Sequence, residues 1–127
     1  LVRHPPLFNP SVVHTYCGML VSTPLSPNQL VGPVDCGDIV GIWKDYYRDA
    51  PFVLPMPPEE AALRDGKFLD IDGCNHTNRV ELYAFGNQAD GVTLIGRLDN
   101  LGKGASGNAV QCLNLMLGRA EQTGLRS

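Results

Sequence analysis

DNLGKGASGNAVQCLNLMLG, residues 99–118, is the most informative stretch of the sequence. It follows a predicted strand and leads into a predicted helix, with three glycines spaced as G-x-G-x-x-G: Gly102, Gly104 and Gly107. Apolar residues then recur at helical spacing and predict a helix over residues 106–117, ended by Gly118 as the residue after its cap. The predicted apolar face, expected to be buried on most sides, contains Ala109, Val110, Leu113, Met116 and Leu117.

The glycine spacing matches a dinucleotide-binding fingerprint only locally. A Rossmann unit needs a second parallel strand with an acidic residue about 20 residues further on, and this sequence finishes about there. A Walker A loop is excluded because Lys103 is followed by glycine, not by serine or threonine. The close backbone approach that glycine allows and the free N–H groups of a helix start would still suit an anion or an amide group. The alternative is that the glycines only permit a tight turn and close packing.

The remaining patterns predict an α+β fold: a mostly antiparallel mixed sheet with helices on one face. A helix is predicted over residues 34–48, with a buried stripe of Ile39, Ile42, Trp43 and Tyr46. Strands are predicted over residues 15–24, 52–54, 78–85 and 92–98, the last two forming a hairpin. Shorter elements are expected near Leu7 and Phe8 (strand) and over residues 59–64 (helical turns). The polar tail over residues 119–127 is expected to be peripheral.

Composition narrows the classes of function. The chain has 127 residues, 43% hydrophobic and 18% charged, which is typical of one globular domain. A net charge of −3 with scattered basic residues argues against nucleic acid as a partner. No apolar run is long enough to cross a bilayer, and no signal peptide is visible, so we expect a cytoplasmic protein without membrane partners. The four cysteines are interpreted as free, buried thiols of a reducing compartment, with two disulfides as the alternative.

Three separated segments resemble the N-acetyl-γ-glutamyl-phosphate reductase family. The first is the stretch over residues 99–118, which is similar to the family's C-terminal signature. PLFNPSVVHTYCGMLVSTPL, residues 6–25, is similar to the pattern PxxxPSV…GM-V-PL, and TNRVELYAFGN, residues 77–87, is similar to the TNR-ELxxFGN strand of the short form. The segments occur in the family's order, and the resemblance covers nearly the whole chain.

The resemblance implies NADPH-dependent reduction of N-acetylglutamyl 5-phosphate to N-acetylglutamate 5-semialdehyde in arginine biosynthesis. In such enzymes a cysteine forms a thioester with the acyl group, hydride from NADPH resolves it, and a histidine assists proton transfer. Residues 1–127 would then be part of the second, catalytic and dimerisation domain of a glyceraldehyde-3-phosphate-dehydrogenase-like reductase. Residues 106–118 would pack toward an N-terminal NADP-binding domain. The expected partners are the substrate, that missing domain and further copies in a homo-oligomer.

No catalytic residue is expected within this sequence. The family's Gly-Cys-Tyr-Pro nucleophile motif does not occur in it, and the histidine-bearing segment is expected upstream of Leu1. Cys74 and His76 suggest a nucleophile and a base, but they match no catalytic position of the family and are interpreted as a polar turn. No metal site is expected, because no group of histidines and cysteines has zinc-ligand spacing.

The cofactor-binding residues implied by the resemblance lie in the glycine stretch. Asn100 is expected near the nicotinamide, since a carboxamide both donates and accepts hydrogen bonds. Gly102, Lys103 and Gly104 are expected beside it. The alternative is that Asp99 and Asn100 only cap the turn before the helix.

Two other functions stay open at this point. One is a related acyl-phosphate or semialdehyde reductase of the aspartate-semialdehyde or lysine-pathway type, although residues 77–87 favour the arginine enzyme. The other is a non-catalytic oligomerisation module.

Overall fold

A four-stranded sheet is the centre of the fold in the computed structural model, which describes residues 8–57, 63 and 65–127. The strands are β1 (Met19–Leu25), β2 (Val53–Pro55), β3 (Val80–Asn87) and β4 (Gly91–Leu98). Their order in the sheet is β1-β4-β3-β2. β4 pairs antiparallel with both β1 and β3, whereas β2 adds to β3 in parallel. The prediction of an α+β fold with a mostly antiparallel mixed sheet is confirmed.

The predicted hairpin of β3 and β4 determines where the glycine stretch leaves the sheet. Its turn is closed by Asn87, whose Oδ1 accepts from the backbone N–H groups of Ala89 and Asp90, each at 2.9 Å. At the other end of β4, Leu98 pairs with Met19 and with Val80. The chain therefore leaves β4 between the first residues of β1 and β3, and the segments that precede both strands flank the next turn.

Helix α1 (Cys36–Tyr46) packs against the sheet, and its start is fixed by a capping box. The Asp35 side chain accepts from the backbone N–H of Asp38 at 2.8 Å, and the Asp38 side chain accepts from that of Asp35 at 3.1 Å. The buried stripe is Cys36, Ile39, Val40 and Trp43, and Val40 joins Ala84 and Val92 in the core. The prediction was wrong for Ile42 and Tyr46, which are 64% and 79% exposed. The observed stripe is centred on Val40, so Ile42 lies toward the solvent side of the helix.

A π-helix (Gly102–Ser106) continues directly into helix α2 (Gly107–Met116). The predicted helix is confirmed, and Gly118 has the left-handed φ of 64° expected of a residue that ends a helix. The prediction of a buried apolar face was wrong for the described chain: Leu113 is 52% exposed and Met116 is 83% exposed. The expectation of both helices on one sheet face also needs correction, because α1 contacts β2 and β3 whereas α2 has no comparable contact with a strand.

The C-terminal tail over residues 119–127 is mostly exposed, as expected of a peripheral segment, and hydrogen bonds dock it on α2. The one buried residue of α2 is Asn114, at 6% exposure. Its Nδ2 donates to the carbonyl oxygens of Glu121 and Thr123 at 3.1 and 2.9 Å. The backbone N–H of Asn78 donates to the Arg126 carbonyl at 2.7 Å. The polar side chain of Asn114 therefore joins α2 to the tail, and the apolar residues of α2 lie on its exposed side.

Two short predicted elements are not established. The helical turns over residues 59–64, apart from residue 63, and the Leu7 part of the predicted first strand lie outside the described residues, and Phe8 is not in a strand. Within the described ranges, the structure has no helix with the length and apolar character needed to cross a membrane.

Two helical glycines provide a matched test of the packing. A Cβ on Gly107 would lie 2.2 Å from Asn78 Oδ1, whereas a Cβ on Gly41 in α1 would meet nothing within 4 Å. We expect Gly107→Ala to lower the free energy of unfolding by about 1–3 kcal/mol through overpacking. Gly41→Ala should raise it by about 0.5–1 kcal/mol, because alanine favours the helix. Urea unfolding of both variants measures this, and equal effects would contradict the close contact between Gly107 and Asn78.

Candidate functional site

Asp99 organises the turn that follows β4. It is 3% exposed, and its Oδ1 accepts from the backbone N–H groups of Leu101 and Gly102 at 2.8 and 2.9 Å. Its Oδ2 accepts from the backbone N–H of His76 at 2.7 Å. Burial alone would raise the pKa of Asp99, but these three donors hold its pKa below the ordinary value. A carboxylate thus joins the turn to the segment before β3.

Asn100 joins the same turn to the segment before β1. Its Oδ1 accepts from the backbone N–H of Gly18 at 2.8 Å. Gly18 has a φ of 112°, and a Cβ there would lie 2.6 Å from the Ile71 carbonyl oxygen, so glycine is required at this position. Asn100 also lines a cleft of about 440 Å³ together with Tyr16 and residues of the β1 start. Among the described residues, the Asn100 amide NH₂ group makes no hydrogen bond, so it is available to an acceptor in the cleft.

The two glycines predicted as cofactor contacts face the protein itself. A Cβ on Gly102 would lie 3.0 Å from the Thr77 carbonyl oxygen, and one on Gly104 would lie 3.4 Å from Leu98 Cδ1. Absence of a side chain at Gly102 therefore lets the π-helix approach the segment before β3, whereas a Cβ at Gly104 would make an ordinary contact. The alternative role in close packing has direct support for Gly102 alone, and contact of either glycine with a cofactor stays a prediction.

Lys103 is engaged inside the fold. Its Nζ donates to Gln111 Oε1 at 2.6 Å and lies 5.8 Å from the centroid of the Phe52 ring, which is 1% exposed. Burial lowers the pKa of Lys103, and the neighbouring Glu121 carboxylate acts in the opposite direction. Gln111 also accepts from Asn78 Nδ2 at 2.7 Å and donates to Glu121. Lys103 thus belongs to a polar chain that fixes α2 and the tail, and its predicted contact with a cofactor is untested.

A second cleft, of about 420 Å³, opens between the Asp99 turn and the C-terminal tail. On its wall lie Cys17, His76 and Asp99, whose Sγ, imidazole nitrogen and carboxylate oxygen are all within 4.8 Å of one another. His76 adopts a left-handed φ of 62°, which is uncommon for a residue other than glycine. Sequence reasoning missed this group, because the three residues come from three distant segments and share no local spacing.

Cys74 and His76 do not form a nucleophile–base pair at the surface. Cys74 is fully buried at 0% exposure, so the description of a polar turn fails for the thiol. Burial raises the pKa of Cys74, although a hydrogen bond with Arg79 acts against this. The thiol is therefore protonated and enclosed.

Curated relatives match nearly the whole chain. It is 46% identical over 123 residues to N-acetyl-gamma-glutamyl-phosphate reductase 2 of Nostoc sp., covering 95% of this chain and 38% of the relative. It is 45% identical to N-acetyl-gamma-glutamyl-phosphate reductase of Trichormus variabilis, with the same coverage. Identity to the protein of that name from Brucella anthropi is 39%, covering 90% of this chain and 36% of the relative. No family model matches the chain. Along nearly all of its length the chain is therefore homologous to proteins named N-acetyl-gamma-glutamyl-phosphate reductase, although it spans well under half of theirs.

Proposed function

We propose that this chain forms part of an N-acetyl-γ-glutamyl-phosphate reductase, which reduces N-acetylglutamyl 5-phosphate to the 5-semialdehyde with NADPH in arginine biosynthesis. The observation that carries the proposal is 46% identity over 95% of the chain to a relative of that name. The names of the relatives do not favour an aspartate-semialdehyde or lysine-pathway reductase. We place the reaction in the cytoplasm.

Within that enzyme, we assign residues 1–127 to the second domain, with a glyceraldehyde-3-phosphate-dehydrogenase-like fold. The chain spans only 38% of the Nostoc relative, which leaves room for an N-terminal NADP-binding domain and for the nucleophilic cysteine and catalytic histidine. Leu113 and Met116 on α2 and Leu117 at its C-cap are 52%, 83% and 59% exposed. Such an apolar face is costly in water, and its burial against the N-terminal domain would remove that cost. The sheet would serve homo-oligomer contacts.

The nicotinamide fits beside Asn100. Because the backbone N–H of Gly18 donates to Asn100 Oδ1, the Asn100 side chain is oriented with its NH₂ group free to donate. The carboxamide oxygen of a nicotinamide is an acceptor of the matching kind. NADPH supplies the hydride when bound, and the role of Asn100 is to orient the ring that carries it. Gly102, Lys103 and Gly104 would support this wall of the pocket through the contacts within the fold.

An assay on the protein at its natural length tests the function. We expect NADP- and phosphate-dependent oxidation of N-acetylglutamate 5-semialdehyde, with aspartate semialdehyde a poor substrate. Preference for aspartate semialdehyde would favour the related reductase. Absence of activity toward either aldehyde in a folded, NADPH-binding protein would contradict the proposal and favour the non-catalytic oligomerisation module.

Asn100→Asp separates the two hydrogen bonds of Asn100. The aspartate keeps an oxygen for the Gly18 N–H but has no NH₂ group to donate. We expect kcat/KM for NADPH to fall about tenfold or more, the equivalent of about 1.4 kcal/mol, with little change in melting temperature. The matched control is Asn108→Asp at an exposed position of α2, which should change neither quantity. Equal kinetics in the two variants would exclude the donor role.

A further inference from the structure

The group formed by Cys17, His76 and Asp99 has the composition of a transition-metal site. The three ligand atoms lie within 4.8 Å of one another, a spacing that a single ion can bridge with small side-chain adjustments. Cys17 is 4% exposed and Asp99 3% exposed, whereas His76 lies at the exposed side. Each residue belongs to a different part of the fold: the segment before β1, the segment before β3 and the turn after β4.

Each of the three side chains has a ligand atom that is free to bind a metal ion. The Asp99 carboxylate has about four acceptor positions, of which the three backbone donors use three. Among the described residues, neither the His76 imidazole nor the Cys17 thiol makes a hydrogen bond. His76 is also held in position, because its backbone N–H donates to Asp99 at 2.7 Å. One sulfur, one imidazole nitrogen and one monodentate oxygen are therefore available.

We propose that Cys17, His76 and Asp99 bind one divalent transition-metal ion, best matched by Zn²⁺, with the fourth coordination position open to the 420 Å³ cleft. Zinc takes thiolate, imidazole and carboxylate ligands together, and three protein ligands plus a water complete its tetrahedral shell. Mg²⁺ and Ca²⁺ prefer oxygen ligands only, so a sulfur and nitrogen set selects against them. A thiolate and a carboxylate also balance the two charges of the ion.

An independent observation in the same cleft supports a bound polar ligand. Asn78 lines this cleft and is 3% exposed, and its Oδ1 has no hydrogen-bond partner among the described residues. An unpartnered buried acceptor destabilises the folded state. Its Nδ2 is already used in the bond to Gln111, so the side-chain orientation is fixed. A water on the metal, or one held beside it, would supply the missing donor.

Metal binding is tested on the protein at its natural length after removal of metal by chelation. We expect one Co²⁺ per chain to bind, with a thiolate-to-cobalt charge-transfer band, and Zn²⁺ to displace the cobalt. Cys17→Ser should abolish that band. His76→Asn, which tolerates the left-handed backbone, should weaken Zn²⁺ binding by about 10–100-fold or more.

The matched control is Cys112→Ser, which removes an exposed thiol on α2 outside the cluster and should bind Co²⁺ like the parent protein. Circular dichroism and melting temperature without metal establish that each variant is folded, and His76→Asn decides the outcome if Cys17→Ser does not fold. Absence of stoichiometric binding, or equal spectra of the folded Cys17→Ser and parent proteins, would overturn the site. Because binding is measured directly, this result is independent of reductase activity.

Discussion

Asp99→Asn is expected to lower the free energy of unfolding by about 3–5 kcal/mol. The carboxylate accepts three backbone hydrogen bonds at 2.7–2.9 Å in a site that is 3% exposed. Asparagine has one accepting oxygen, and its NH₂ group would face a backbone N–H, so at least one buried donor loses its partner. Urea unfolding monitored by circular dichroism measures the loss. The matched control is Asp45→Asn on α1, whose side chain is 85% exposed and whose ion pair with Arg48 is worth little.

The pH dependence of unfolding in the parent protein and in Asp99→Asn shows whether the charge of Asp99 is the source of this stability. Because the folded pKa of Asp99 is held below its ordinary value, its contribution is fully present above the unfolded pKa of about 3.9. That contribution is lost as pH falls through the folded pKa. The stability difference between the parent protein and Asp99→Asn should therefore shrink on acidification below about pH 4. A difference independent of pH would mean that the charge of Asp99 contributes nothing.

The sequence predicts those parts of the fold that depend on neighbours along the chain. The β3–β4 hairpin was predictable because alternating apolar residues flank a short polar turn closed by Asn87. The α2 helix and its end at Gly118 were predictable for the same local reason. Periodicity shows which residues share a face, but it does not show what covers that face. Leu113 and Met116 therefore share a side of α2 as predicted, yet they are exposed in the described chain.

The candidate site depends on contacts between distant segments. Asn100 was found through the resemblance, but its bond to Gly18 required the pairing of β1 with β4. The metal group was missed because spacing rules detect ligands within one turn or loop, whereas this group needs the sheet register to bring Cys17 beside Asp99. Similarly, Asn114 offered no sequence signal that it would hold the tail.

A buried ion pair on the sheet offers the second large stability effect. Glu81 is 4% exposed and is held by Arg97, whose Nε donates to Glu81 Oε2 at 2.8 Å. The Tyr83 hydroxyl donates to the same oxygen at 2.6 Å. Burial acts to raise the pKa of Glu81, but the bonds from Tyr83 and Arg97 outweigh it and lower this pKa. Burial and the Glu81 carboxylate both raise the pKa of Tyr83. Removing the arginine therefore leaves a desolvated carboxylate without its main partner.

Arg97→Met is expected to lower the free energy of unfolding by about 3–5 kcal/mol. The guanidinium also donates from Nη1 to the Asp70 carbonyl at 2.9 Å, so its loss removes one of the bonds that hold the segment before β3 to the sheet. Glu81→Leu combined with Arg97→Met should recover most of this loss, because it replaces both charges with apolar groups of similar volume. A double-mutant cycle in urea measures the coupling between the two sites. After loss of Arg97, the Glu81 carboxylate keeps only Arg79, whose Nε lies 3.2 Å from Glu81 Oε1, and the Tyr83 hydroxyl as partners. Additive losses in that cycle would show that the two side chains contribute independently, and they would contradict the view that the loss of Arg97 as a partner of Glu81 is what destabilises Arg97→Met.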